Sequence, residues 1–130
     1  MTTVSVVVVG YSDEPDLPAC LDAIRAQLAD GDEVVLVDNG VTSLPDLTGV
    51  QVVTAPGNGG FAAGCHLGVD ATTGDVLVFV NSDAIIRPGA LDALRSALSD
   101  PTVGLVTGLV VMSDAPHLVN AAGNPVHFLG

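Results

Sequence analysis

The chain has 130 residues, 48% of them apolar, and carries a formal net charge of −12 at pH 7. That is one domain's length, with too much hydrophobic material for intrinsic disorder. The 15 acidic residues face three basic ones, Arg25, Arg87 and Arg95, and there is no lysine; this excludes sequence-neutral nucleic-acid binding, polybasic membrane docking, a Walker A motif and Schiff-base chemistry.

Val4–Tyr11 (VSVVVVGY) is a β-branched run, apolar on both faces, which predicts a central parallel strand covered by helices. Ser12–Asp16 is a polar loop. Leu17, Cys20, Leu21, Ile24 and Leu28 recur at helical spacing and predict a helix with one apolar stripe. Asp30-Gly31-Asp32 stops it, and Glu33–Val37 (EVVLV) is a second strand ending at Asp38-Asn39-Gly40. A turn-rich stretch leads to a short third strand at Val50–Thr54. The glycine loop Pro56–Gly60 then precedes a helix on which Phe61, Cys65 and Val69 follow at i, i+4 and i+8.

Gly74 ends that helix, and Val76–Val80 (VLVFV) is another fully apolar strand, stopped by Asn81-Ser82-Asp83. Pro88 suits the first turn of a further helix, with Leu91, Leu94 and Leu98 as its buried face. Val103–Met112 reads as a strand interrupted by Gly104 and Gly108. The segment Ser113–Gly130 has no clear period beyond a short strand at Val126–Leu129. Alternating strands and helices give an α/β fold, a three-layer α/β/α Rossmann-like arrangement with a mainly parallel sheet.

With only Tyr11, Phe61, Phe79 and Phe128 as aromatics, the core rests on Val, Leu, Ile and Ala. The longest apolar runs are about six residues, against the ~20 a membrane helix needs. Met1-Thr2-Thr3 lacks the basic residues of a signal peptide. Cys20 and Cys65 are too far apart for a zinc or redox pair and read as two buried, reduced thiols. A cytoplasmic protein is the expectation.

In such sheets ligands bind beyond the carboxyl ends of the strands. Three features fall there: Gly10-Tyr11, Asp38-Asn39-Gly40 and Asn81-Ser82-Asp83. The i, i+2 oxygens of Asn81 and Asp83 suit a hard divalent cation that shares ligand phosphates, or are simply good turn residues. Asp38 either accepts from a ligand or serves the turn it begins. Gly57–Ala62 fits G-x-G-x-x-[GA], weakly, because it follows the third strand rather than the first. His66 reads as a structural histidine. His117 and His127 have no partner at metal-ligand spacing, and Arg87 is the basic residue nearest the Asn81–Asp83 turn.

Together VSVVVVGY at 4–11, VVLVDNG at 34–40, GNGGFAAGCHLGVDATTGD at 57–75, VLVFVNSDAIIRPGAL at 76–91 and DPTVGLVTG at 100–108 resemble the nucleotide-binding half of a family-2 glycosyltransferase of the GT-A fold. The likeness is to the bacterial rhamnosyl- or galactofuranosyltransferase-like branch, whose members build cell-envelope polysaccharides. By that resemblance Asn81-Ser82-Asp83 stands in the place of the Asp-x-Asp motif, with Asp83 as the metal contact and Asn81 where an acidic residue often stands. Asp38 aligns with the aspartate at the nucleoside base, and Gly10-Tyr11 with the loop beside it. Gly60, Phe61 and Gly64 match the segment that shapes the nucleotide-sugar site, and His66 stands where asparagine is common.

The resemblance implies inverting transfer from a UDP- or dTDP-linked sugar to a hydroxyl of a glycan or lipid-linked acceptor, with Mn²⁺ or Mg²⁺ as cofactor. It also implies a donor-binding domain over 1–112 and the beginning of an acceptor side over 113–130. The family's general base is expected beyond residue 130, so no catalytic residue is assigned and the chain alone is expected to be inactive. An exposed apolar edge would then favour a homodimer. Two rivals stand beside this reading: an NAD-binding Rossmann domain, resting on the glycine loop, and a non-catalytic binding or assembly module. A sugar nucleotidyltransferase would want an arginine-bearing glycine loop after the first strand and a lysine, and Gly10–Leu17 offers neither.

Overall fold

The valine-rich runs assemble as parallel neighbours. A computed structural model of the chain describes residues 2–122, so the strand expected over Val126–Leu129, with His127 and Phe128, lies outside the described residues. The chain divides into two compact units, Met1–Leu91 and Asp92–Gly130.

The first unit contains β1 (Val4–Ser12), α1 (Leu17–Arg25), β2 (Glu33–Val41), β3 (Gln51–Thr54), α2 (Phe61–Asp70) and β4 (Val76–Asn81). All four strands are parallel, in the order β3-β2-β1-β4. Only a strand with neighbours on both edges and helices on both faces can bury consecutive residues, and β1 and β2 occupy those central places. On one face Val4, Val6, Val8, Val34, Leu36 and Val80 pack against Leu17, Cys20, Leu21 and Ile24 of α1. Helix α1 ends at Arg25, a turn earlier than the stripe to Leu28 predicts; Leu28 still packs on the core from the turn that follows.

On the other face α2 lies over β1 and β2, and its approach corrects the expected stripe. The residues it buries are Gly64 and Gly68, while Phe61 is 58% exposed. A Cβ on Gly64 would come within 2.7 Å of Val9 Cγ1, and one on Gly68 would overlap Val7 Cγ1. Glycine therefore sets how closely the helix sits on the sheet. Cys65 is accordingly only half-buried, where a buried thiol is expected; Cys20 is buried, and both are free.

Strand β4 also departs from its reading. Its apolar run suggests cover on both faces, yet Leu77 and Phe79 are 41% and 50% exposed. Among the described residues β4 is an edge strand, and α2 covers its neighbours instead. Strand β2, by contrast, runs on through Asp38-Asn39-Gly40, because Asp38 still pairs with Gly10 on one side and Thr54 on the other.

Helix α3 (Ala90–Ala97) starts later than Pro88 predicts. Arg87–Ala90 forms a turn closed by the Ala90 N–H to the Arg87 carbonyl at 3.0 Å, with Gly89 at φ +84°. Proline and glycine at its two central positions are those of a type II turn. In the second unit the strand expected over Val103–Met112 is reduced to β5 (Val110–Val111), paired antiparallel with β6 (Val119–Ala121). Residues 103–109 have no described strand to pair with, and Gly104 and Gly108 weaken the extended chain further. Strand β6 has no periodicity to announce it. Among the described residues no helix is long and apolar enough to cross a membrane.

Candidate functional site

Parallel pairing brings the carboxyl ends of β1, β2 and β4 to the same edge of the sheet. Strand β1 leaves its register with β2 between Gly10 and Ser12, where Ser12 adopts φ 61°. That irregularity turns Tyr11 outward, 55% exposed. The Tyr11 N–H donates to Glu14 Oε1 at 3.0 Å, which fixes the start of the following loop.

Strand β4 ends at Asn81, opposite Val9. Ser82 and Asp83 turn away from it, and the Ala84 N–H closes the turn on the Asn81 carbonyl at 2.9 Å. The Cys20 thiol donates to that same carbonyl from below, at 3.5 Å. Burial, then the negative charges of Asp83 and Glu14, push this thiol up to about 12, so it remains a protonated donor. The side chains of Asn81, Ser82 and Asp83 themselves make no hydrogen bond to another described residue.

The glycine loop supplies another wall. Asn39 is 4% exposed at the end of β2, and its Nδ2 donates to Asn58 Oδ1 at 2.9 Å and to the Gly60 carbonyl at 3.4 Å. Asn58 Oδ1 also accepts the Gly60 N–H at 3.0 Å. Gly60 takes φ +88° as the N-cap of α2, a helix start with no side-chain cap. Only glycine adopts that conformation without strain.

These elements enclose one open cleft of about 410 Å³. Of the residues singled out from the sequence, Tyr11, Gly60, Phe61, Asn81, Ser82 and Asp83 line it. Gly10, Asp38 and Gly64 do not. Gly10 and Asp38 pair with each other on adjacent strands, and Asp38 Oδ1 accepts the N–H groups of Gly40 and Val41 at 3.0 and 2.8 Å. Gly64 lies on α2 where an added Cβ would meet Val9, a residue of the lining.

Val9, Glu14, Asn39 and Asn58 also line the cleft, and sequence reasoning missed them. Asn39 and Asn58 sit inside Asp-Asn-Gly and Gly-Asn-Gly, where they read as turn formers. Glu14 gives one signal, its i+3 spacing from Tyr11, which suits an acidic side chain reaching back to a backbone N–H. Among the described residues two carboxylates, Glu14 and Asp83, line the cleft and no basic side chain does. Arg87 is exposed in its own turn, outside the lining. Among the described residues no group of three or more His, Cys, Asp or Glu converges. A second cleft, of about 380 Å³, opens across the glycine loop, and His66 and Asp70 line it together with Asn39.

A mainly parallel sheet with helices on its faces is the architecture of the GT-A fold, and solved structures agree. Glucosyl-3-phosphoglycerate synthase from Mycobacterium tuberculosis, solved with Mn²⁺, UDP-glucose and phosphoglyceric acid, superposes with a TM-score of 0.65 at 27% identity, over 78% of this chain and 41% of that one. The sequence model for glycosyl transferase family 2 matches residues 5–118, and the chain belongs to that family. Among curated relatives, EpsH of Bacillus subtilis (strain 168) is 27% identical over 107 residues, which is 76% of this chain and 31% of that protein. The glycosyltransferase GlyG of Streptococcus pneumoniae serotype 4 (strain ATCC BAA-334 / TIGR4) is 25% identical over 114 residues, 81% of this chain and 38% of that protein. The chain thus spans about a third of the length of these relatives.

Proposed function

We propose that the cleft holds the diphosphate of a nucleotide sugar and that the chain is the donor-binding portion of an inverting, metal-dependent glycosyltransferase. One observation carries this reading: the side chains of Asn81, Ser82 and Asp83 line the cleft and have no partner among the described residues. Polar side chains left without protein partners at the carboxyl edge of a parallel sheet are available to a ligand.

The electrostatics favour a cation as the intermediary. With two carboxylates and no basic side chain, the cleft repels a bare diphosphate. A hard divalent ion takes one or two protein carboxylates and completes its shell with phosphate oxygens and water. Asp83 lines the cleft with its carboxylate unengaged among the described residues, and fits that role. Bound there, Mn²⁺ or Mg²⁺ would act as a Lewis acid on the departing diphosphate.

The chain's own residues bind and orient. Tyr11 and Phe61 give the cleft apolar walls, and Asn81 and Ser82 offer side-chain donors. By the family resemblance the base would lie beyond the cleft lining, against Asp38 and its strand partner Gly10, where the turn already engages Asp38 Oδ1. An acceptor hydroxyl, on a glycan or lipid-linked saccharide in the cytoplasm, attacks the anomeric carbon from the side opposite the diphosphate. Its proton goes to a base in the part of the relatives' length that this chain does not span.

Calorimetric titration with UDP and dTDP, with and without Mn²⁺, tests the reading. Metal-dependent binding that falls about a hundredfold in Asp83→Ala is expected for loss of a charged ligand. A folded wild-type protein that binds neither nucleotide would overturn it.

A further inference from the structure

We propose that Asn39 is a positioning residue of the donor cleft, acting through Asn58 and Gly60 to hold the glycine loop as the partition between the two clefts. The inference rests on the donor-site reading and adds to it the device that gives the site its shape.

The three residues form a closed set of hydrogen bonds. Asn39 Nδ2 donates to Asn58 Oδ1 and to the Gly60 carbonyl, and the Gly60 N–H donates to Asn58 Oδ1. The Gly60 N–H is therefore held by a side chain, and its carbonyl accepts from Asn39 as well as from the Gly64 N–H of α2 at 3.1 Å. The amide orientations are fixed by their partners: the Gly60 N–H requires an oxygen from Asn58, and that oxygen together with the Gly60 carbonyl requires the NH₂ of Asn39. Asn58 Nδ2 then has no partner among the described residues, on a residue that lines the cleft.

Burial makes the set selective. Asn39 is buried at the carboxyl end of a central strand, and apart from Ser5 it is the only buried polar side chain among the described residues. A buried amide keeps its place only if its hydrogen bonds are satisfied, so the loop and the strand end stabilise each other. No side chain caps α2, so these bonds to its N-cap residue Gly60 are the side-chain contacts at its start. The loop lines the same cleft as Tyr11 and Asp83, and its position there depends on this pair of asparagines. Asn39 lines both clefts, and releasing the loop would let the two merge.

A double-mutant cycle tests the proposal on the intact chain, with Mn²⁺·UDP as the probe. Asn39→Ala and Asn58→Ala are each expected to weaken binding about tenfold, and the double variant about tenfold as well, because both break one device. Amide exchange at Gly60 should accelerate in both single variants. It should stay slow in Asn58→Asp, which keeps the acceptor oxygen. A purely structural role would lower the melting temperature while the folded fraction bound nucleotide normally, and that result overturns the proposal. So does additivity in the double variant, at about a hundredfold. Wild-type protein that binds no nucleotide defeats the donor-site reading and this inference with it. Wild-type binding that survives both substitutions defeats the inference alone.

Discussion

At the amino ends of the strands, polar residues hold one another. The Thr3 N–H and hydroxyl contact Asp75 Oδ2 at 2.9 and 3.0 Å, and the Val4 N–H donates to Asp32. Ser5, fully buried, donates to Glu33 Oε1 at 2.6 Å and accepts the Gly74 N–H at 2.8 Å. The Thr73 N–H and hydroxyl reach the same Glu33 oxygen. At the carboxyl ends, Asn81, Ser82 and Asp83 face an open cleft with no such partners among the described residues. Both edges carry carboxylates on the same parallel sheet. Asp75, Asp32 and Glu33 are engaged by protein donors and build the fold, as Asp38 and Glu14 do in part at the other edge. Asp83 instead faces the cleft without such a donor among the described residues. Counting acidic residues would not separate the two edges; following their hydrogen bonds does.

Substitutions can break that contrast, beginning at the cleft. Asp83→Ala should remove metal-dependent nucleotide binding with a change in melting temperature too small to matter, measured by calorimetry and thermal unfolding side by side. A large loss of stability would make Asp83 a structural residue like those at the amino edge. Gly64→Ala joins the edges through α2. The added methyl meets Val9 at 2.7 Å, and overpacking costs about 1–3 kcal/mol. Denaturant melts should report that cost, and nucleotide affinity should fall as Phe61 and Gly60 shift.

Ser5→Ala leaves the Gly74 N–H without its partner and should cost about 1–2 kcal/mol in the same melts, with nucleotide affinity of the folded protein unchanged. The smallest effect sharpens the comparison by pH. Burial raises the Glu33 pKa, but hydrogen bonds from Ser5, Thr73 and Gly74 outweigh it and hold the carboxyl below its usual 4.5. A folded pKa below the unfolded one means stabilisation is present above about 4.5 and is lost as pH falls through the folded value. Melting temperature should therefore drop on acidification below about 4.5, and Glu33→Gln should be less stable at neutral pH with a flatter profile in that window.

Several elements were legible before any tertiary contact. VSVVVVGY and EVVLV announce central parallel strands because only a doubly covered strand tolerates such runs, and they became β1 and β2. Leu17, Cys20, Leu21 and Ile24 mark the buried stripe of α1, since a 3.6-residue period leaves one face for the core. Alternation of strands and helices announced a mainly parallel sheet, and hence one carboxyl edge for Tyr11 and Asn81–Asp83; the strand order came from the structure. The family resemblance, carried by motifs in order, added the membership that the comparisons bear out.

What the local pattern could not carry depended on neighbours far along the chain. VLVFV reads like the central strands, but its place at the edge of the described sheet leaves Leu77 and Phe79 exposed. Phe61, Cys65 and Val69 look like the face of α2, yet two glycines let the backbone approach Val7 and Val9 more closely than any side chain could. Val103–Met112 has the composition of a strand without a described partner for most of its length, and composition makes no hydrogen bonds. Asn39 and Asn58 read as turn residues, because their meeting depends on the approach of a loop to a strand end 19 residues away. Periodicity in the sequence determined which residues face a core. The pairing of distant segments decided which polar groups were left facing the cleft.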